Sequence, residues 1–364
     1  MKVRQLSTVH AIGDTRVLHK ECKSLLDAGH DVALIASNPR DEVVEGVPVL
    51  GIGVASNRFT RMTVSTTRLL RRALAEDADI YHFHDPELIP VGIALRLRGK
   101  KVVYDVHEDV PKQIMNKFWI KPALKLPFAA AATAFEKVAG LALSGVVTAT
   151  PTIAEKFPAR KTVVVQNFPE VGLAAVVNTK SFSLRRNAFV YVGGLSEQQG
   201  LFEMLEAFTK LPEGLTGVLA GKFKQKEEEA RAHPGWSRVR YPGVVGRAQV
   251  VEALRDAVCG VVLDHPITNY VDAYSTKMFE YMACGIPVIC SNFPMWERLI
   301  EEYGCGVAVD PFDTDAVAEW ITRYNTDHDL AREHGENGRR AIAEKLNWGV
   351  ELDKMLTLYA RIAP

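Results

Sequence analysis

"DAYSTKMFEYMACGIP", residues 272–287, lies between two short apolar runs, "GVVLDH" (260–265) and "PVICSN" (287–292). It reads as a strand-exit loop, a helix and the start of the next strand. Ser275 stands where a helix N-cap belongs, Gly285 ends the helix, and Pro287 forbids its continuation. Strand, loop, helix and strand in succession, with Val- and Ile-rich strands, is the repeating unit of a parallel sheet.

The same alternation runs outward in both directions. In the first half, strands are expected at 2–9, 31–36, 47–53, 79–84, 101–106, 145–149 and 162–166, with helices at 15–28, 62–76 and 86–98. In the second half, "FVYVGG", "GVLAGK", "VRYPGVV", "GVVLDH", "PVICSN" and "GVAVDP" read as strands between helical segments. Periodicity fades over 168–186, the expected linker. The fold class is therefore α/β, with two doubly wound Rossmann-like domains, 1–167 and 187–345, facing a cleft. Residues 346–364 form a last helix that returns to the first domain.

Composition narrows the function classes. Apolar residues at 47% and charged residues at 24% describe a water-soluble globular chain, and a net charge of zero gives no global pull toward nucleic acid. Five cysteines without C-x-x-C spacing fit free thiols in a reducing compartment. The first residues lack a signal-peptide core, and no run is long and apolar enough to span a bilayer. The expected location is the cytoplasm.

Ligands of open α/β sheets bind beyond the carboxyl ends of the strands, so the loops there carry the chemistry. In the opening stretch, Asp272 precedes Glu280 by eight residues. Side chains of a helix tilt toward its N-terminus, so Glu280 points back toward the loop that holds Asp272. The N–H groups of residues 275–278 (Ser275, Thr276, Lys277, Met278) favour an anion in the same space. That combination suits a nucleotide sugar: diphosphate on the helix N-terminus, ribose diol on Glu280, sugar hydroxyls near Asp272. A solvent-facing Glu and a polar-loop Asp are the plain alternative.

Gly193 and Gly194 end another strand and allow close backbone approach to a phosphate. Gly13 opens a similar loop after the first strand, with Asp14 as helix cap or substrate contact and Arg16 as a second substrate contact. "DIYHFHDPE" puts His82 and His84 on one face of a strand, followed by Asp85, and "VVYDVHEDVP" ends its strand at His107. These four residues are a candidate metal site for a competing reading, a metal-dependent hydrolase. His84 is otherwise a polar wall of the site or a histidine satisfied by backbone.

Two basic and apolar stretches suit an anionic membrane surface or, equally, a charged solvent face over a core helix. Residues 57–77 carry Arg58, Arg61, Arg68, Arg71 and Arg72. Residues 112–135 mix Lys112, Lys117, Lys121 and Lys125 with Phe118, Trp119 and Leu126.

The segment D272-x7-E280 with "FEYMACGIPVI" resembles the donor-binding signature of glycosyltransferase family 4, whose usual pattern is Glu, seven residues, Glu, then Gly-x-Pro-Val. Asp272 replaces the first Glu. The other three loops match as well, so the resemblance covers nearly the whole chain. It implies a GT-B fold and a retaining, metal-independent hexosyltransferase without a cofactor, using a nucleotide-diphosphate sugar. The acceptor implied is a glycan or a lipid-linked molecule in cell-surface polysaccharide synthesis, which brings the enzyme to the inner face of the membrane as a peripheral protein. His107 matches the active-site histidine, and the Gly13 loop with Asp14, Arg16 and His84 falls on the acceptor side. The resemblance puts Arg and Lys where this chain has Gly194 and Gln199; Lys222 and Lys277 are candidate replacements. A non-hydrolysing nucleotide-sugar epimerase and a binding-only protein share the architecture and stand as alternatives.

Overall fold

The apolar runs form two separate sheets. The computed structural model describes residues 1–116, 120–170 and 180–363, with the backbone alone at 116, 247, 268 and 269. Two units result: Met1–Asn167 together with Trp348–Pro364, and Phe168–Asn347.

In the first unit the strands are β1 (Lys2–Ser7), β2 (Asp31–Ala36), β3 (Glu42–Val44), β4 (Val47–Gly51), β5 (Ile80–Phe83), β6 (Lys101–Val106), β7 (Gly145–Thr148) and β8 (Thr162–Val164). Their order is β3-β4-β2-β1-β5-β6-β7-β8, parallel except for the β3–β4 pair. Chain order reverses between β1 and β5, so the loops after these strands flank the switch point, where a crevice opens. Period-two alternation sorts the side chains of β5 and β6. Tyr81, Phe83, Val102 and Tyr104 join one core, with the Phe83 and Tyr104 rings stacked at 4.7 Å. His82, Val103 and Asp105 point to the other face, whose core includes Val17, Leu18, Leu25, Trp348, Met355 and Leu358.

The C-terminal helix Trp348–Ile362 belongs to this unit. Trp348 Nε1 donates to Ser24 Oγ (2.8 Å), and Gln166 N–H donates to the buried Glu351 carboxylate (2.8 Å). Leu358 lies over Gly145, where an added Cβ would meet it at 3.0 Å.

In the second unit the strands are β9 (Asn187–Val192), β10 (Gly217–Ala220), β11 (Val239–Arg240), β12 (Ala257–Val262), β13 (Val288–Ser291) and β14 (Gly306–Val309). The order β11-β10-β9-β12-β13-β14 is wholly parallel and switches between β9 and β12.

Three expectations are corrected. Strand β3 was not foreseen; it pairs antiparallel to β4 through a two-residue turn in which Glu45 and Gly46 both have positive φ, 50° and 86°. The helix expected over 15–28 is a π-helix at Thr15–Cys22 that passes into an α-helix at Lys23–Asp27. The stretch 168–186 is no free linker where it is described: Phe168 and Phe182 are buried in the two cores of the second unit, because an aromatic side chain gains more from burial than from water. Residues 171–179 lie outside the described residues.

Candidate functional site

At the switch point of the first sheet a buried polar cluster has formed. The π-helix closes its turns from i to i+5, which brings Arg16 and Glu21 side by side. Arg16 Nε donates to Glu21 Oε1 (3.0 Å) and to Asp105 Oδ2 (3.1 Å). Its Nη2 donates to both Asp105 oxygens (3.0 Å each), and its Nη1 to the Val165 carbonyl (3.0 Å). Burial alone would raise the Asp105 carboxyl, but the Arg16 charge and the hydrogen bond from His107 hold it well below the usual range. Glu21 goes the other way: burial and the Asp105 charge lift it well above a normal carboxyl. The Arg16 guanidinium thus lies between two carboxyl groups whose affinities for a proton are pushed in opposite directions.

The histidines arrange themselves around that pair. Gln5 Oε1 accepts from His84 Nε2 at 2.8 Å, which assigns the His84 proton to Nε2 and leaves Nδ1 an acceptor. Burial depresses His84 to about 4, so it is neutral near pH 7. His107 Nε2 then donates to His84 Nδ1 (3.0 Å) and Asp105 Oδ2 (3.1 Å). His107 is partly exposed. His10 lies against it, ring centroids 4.9 Å apart, and binds Asp14 Oδ2 at 3.2 Å.

Several expected roles change. Arg16 is 5% exposed with every nitrogen engaged, so it serves the interior and does not reach an acceptor. Asp14 is the cap, accepting from the N–H groups of Arg16 and Val17 (2.9 Å each). His84 is satisfied by Gln5 and His107, neither backbone nor open wall. Gly13 is exposed, and an added Cβ there would meet nothing within 4 Å.

The proposed metal set also dissolves. Asp85 accepts from Ser7 Oγ (3.0 Å) and Val9 N–H (3.2 Å), and His82 Nδ1 pairs with Tyr359 Oη at 2.6 Å. Among the described residues a different set, Glu21, His84, Asp105 and His107, has ligand atoms within 4.8 Å of one another. Arg16 lies in that set, hydrogen-bonded to Glu21 and Asp105.

In the second unit the helix Thr276–Ala283 follows the loop of Asp272. Ser275 precedes it without a side-chain cap; its Oγ instead accepts from Lys277 Nζ at 3.4 Å. Thr276 is exposed, and Asp272 and Glu280 are half-buried. Lys277 extends over Gly193, where an added Cβ would lie 2.5 Å from its Cε, and its Nζ is 5.3 Å from the Tyr191 ring. Burial lowers the Lys277 ammonium; Asp264 opposes that shift, and Lys224 adds to it. Asp264 is buried at the end of β12, its Oδ1 without a partner among the described residues. Burial raises its carboxyl, with Lys277 and Lys224 opposing. Lys222 is exposed.

Sequence reading missed Gln5, His10, Glu21, Asp105, Lys224 and Asp264. Asp105 and Asp264 did carry a signal: an acid within or ending a Val-rich strand requires a cation or donor from elsewhere.

The chain matches two family models: Glycosyltransferase Family 4 over residues 13–168, and Glycosyl transferases group 1 over residues 178–341. O-antigen chain mannosyltransferase B of Escherichia coli is 24% identical over 169 residues, 44% of this chain and 42% of that protein. The chain spans 12% to 42% of the length of the curated relatives it matches. Among solved structures, Anabaena Alr3699/HepE in complex with UDP superposes with a TM-score of 0.74 at 15% identity, covering 99% of this chain and 100% of that one. Sucrose-phosphate synthase from Thermosynechococcus elongatus gives 0.73 at 18% identity, covering 99% and 98%.

Proposed function

The chain belongs to glycosyltransferase family 4, with the two Rossmann-like units of the GT-B fold, and from that premise we propose that it transfers a hexose from a nucleotide-diphosphate sugar to a glycan or lipid-linked hydroxyl, with retention of configuration. The observation that carries this reading is the loop-helix segment of the second unit: Asp272, the helix that begins at Thr276, and Glu280 on its second turn. Glu280 accepts from the ribose diol and Asp272 from the sugar hydroxyls. The N–H groups at Ser275 and Thr276, the bare backbone at Gly193 and Gly194, and Lys277 receive the diphosphate. HepE, similar in fold, has been crystallised with UDP and with UDP-glucose, which supports a donor of this class.

In this scheme the leaving diphosphate is stabilised electrostatically and takes the acceptor proton as the new bond forms on the same face. On the first unit, His107 offers Nδ1 to a substrate hydroxyl. No metal or cofactor enters the scheme. The reading is tested by incubating the protein with labelled nucleotide sugars, with and without glycan and polyprenyl-phosphate-linked acceptors, and with chelator. Transfer with retained anomeric configuration supports it. An epimerised donor formed without acceptor overturns it, and so does activity abolished by chelator.

The acceptor side includes a peripheral membrane contact. The helix Pro122–Ala142 turns Leu124, Phe128, Phe135, Val138 and Leu141 outward at helical spacing, with Leu126 and Leu141 each 70% exposed. Of the charged residues of this helix, Lys137 is exposed, Lys125 is half-buried with its Nζ donating to the Met115 carbonyl (2.8 Å), and Glu136 is buried. An anionic bilayer accepts both the apolar stripe and the exposed Lys137 beside it. The arginine stretch contributes less than its composition implied. Arg61 is bound to Glu87 (2.8 Å) and Arg72 to Asp41 (2.7 Å), while Lys117, Phe118 and Trp119 lie outside the described residues. No helix among the described residues is long and apolar enough to cross a membrane.

A further inference from the structure

The loops that follow β9 and β10 are in backbone contact: an added Cβ on Gly221 would stand 1.7 Å from the Gly193 carbonyl oxygen. Strand-like pairing continues past the sheet, with Leu195 N–H donating to the Lys222 carbonyl and Lys224 N–H to the Leu195 carbonyl (2.9 Å each). Phe223 between them packs on Trp236 and Tyr241, so Lys222 and Lys224 share the opposite side. Lys224 bends over Gly194. A Cβ added there would lie 2.7 Å from Lys224 Cε and 3.3 Å from its Nζ, just as one on Gly193 would lie 2.5 Å from Lys277 Cε. Two bare glycines at the switch point are therefore each crossed by a lysine from another element.

These two ammonium groups repel each other, and an anion between them relieves that repulsion. We infer that Lys224, paired with Lys277, is the diphosphate clamp of this chain, carried by the β10 exit and the helix Thr276–Ala283 in place of side chains on the Gly193–Gly194 loop. The inference rests on the nucleotide-sugar reading above. It assigns Lys224, and not Lys222, as the binding lysine of the pair that shares one side. It also gives Gly194 a reason: any side chain there would occupy the space of Lys224. Gly194 itself has no left-handed φ, so its backbone accepts a side chain once the Lys224 side chain is removed and the Gln199 amide, whose Oε1 would stand 3.0 Å from the new Cβ, gives way.

Calorimetric titration of the full chain with UDP, GDP and ADP tests this. Lys224→Met should weaken the nucleoside diphosphate that wild type binds by about tenfold or more, the worth of one charge-assisted contact. Lys222→Met should change it by less than about twofold, the expectation for an exposed charge that makes no direct contact. Lys224→Ala should weaken binding as Lys224→Met does, and the double variant K224A/G194R should regain most of that loss, because alanine removes the Cε that stands 2.7 Å from an added Cβ and the arginine refills the space with a cation. Lys224 is exposed, so K224M should melt with wild type. Binding unchanged in K224M, or lost in K222M instead, overturns the assignment while leaving the nucleotide-sugar reading intact. A K224A/G194R variant no tighter than K224A overturns the claim that both positions serve one space. Wild type binding none of the three nucleotides overturns both readings together.

Discussion

Replacing Arg16 with Met should damage the interior of the first unit and not an acceptor contact. The substitution keeps most of the apolar stem and removes the guanidinium from between Glu21, Asp105 and the Val165 carbonyl, all within 3.1 Å of it. Asp105 is fully buried, so it would be left as an uncompensated charge. Breaking such a pair typically costs about 3–5 kcal/mol. At 1.4 kcal/mol per factor of ten, protection of the β6 amides against hydrogen exchange should drop by about two to three and a half orders of magnitude. Exchange read peptide by peptide is the suitable assay, because it separates the two units where a single melting curve would not. Amides of β9 and β12 should exchange as in wild type. The pH response has a definite sign. Without Arg16, burial lifts the folded-state pKa of Asp105 above its unfolded value, so stability is retained at low pH and lost as pH rises through the raised value. Protection in R16M should therefore recover partly on acidification, and the double variant R16M/D105N should be less destabilised than the two single effects added. If β6 protection in R16M falls by less than tenfold at neutral pH, the ion-pair reasoning is wrong.

Glu136 is buried, and burial, aided by Asp109 and opposed by Lys156, raises it to about 7 from the ordinary 4.5. A raised carboxyl contributes stability below its unfolded pKa that is lost as pH rises through the folded one. Glu136→Gln should thus flatten the fall in stability between about pH 4.5 and pH 7, measured by denaturant unfolding, and a slope equal to wild type would contradict it. His107→Ala should lower turnover by about ten- to a hundredfold, the worth of a strong hydrogen bond, and leave nucleoside diphosphate affinity unchanged; lost stability with normal turnover would make it a structural residue. Wild type should sediment with phosphatidylglycerol vesicles in a salt-sensitive way and not with phosphatidylcholine. Serine at Leu126, Phe128, Phe135 and Leu141 should abolish that binding. A concentration-dependent dimer that the same serines dissolve would instead assign the stripe to a second copy.

The fold was legible because parallel sheets announce themselves: Val-rich runs alternating with helices placed nearly every long strand to within a few residues. What escaped was short or nonlocal. Strand β3 has three residues and a Glu-Gly turn, a weak hairpin signal beside Asn-Gly or Asp-Gly. A π-helix has the same residue types as an α-helix, so the i to i+5 pairing of Arg16 with Glu21 is invisible until the backbone is seen. Arg16 reads as a surface residue from its own neighbourhood; its burial depends on Asp105, 89 residues further on, and neither charge explains the other locally. Period two placed His82 on one face of β5 correctly, yet spacing alone could not show that Tyr359, from the far end of the chain, would take its ring. In the second unit the acids at 272 and 280 and the glycines at 193 and 194 were read from spacing. Lys222 and Lys224 lie on the same side of Phe223, so spacing alone could not show that it is Lys224 whose side chain bends over Gly194.

In the proposed complex the second unit holds a nucleotide sugar with Glu280 on the ribose and Asp272 on the sugar. Calorimetric titration of wild type, Glu280→Gln and Asp272→Asn with the preferred nucleoside diphosphate and its sugar conjugate tests it most directly. Loss of one hydrogen bond to a charged group is worth about 1.5–3 kcal/mol, or about ten- to a hundredfold. Glu280→Gln should weaken both ligands by that factor, while Asp272→Asn should leave the nucleoside diphosphate unaffected and weaken only the sugar conjugate. Nucleoside diphosphate binding as tight in Glu280→Gln as in wild type would contradict the account.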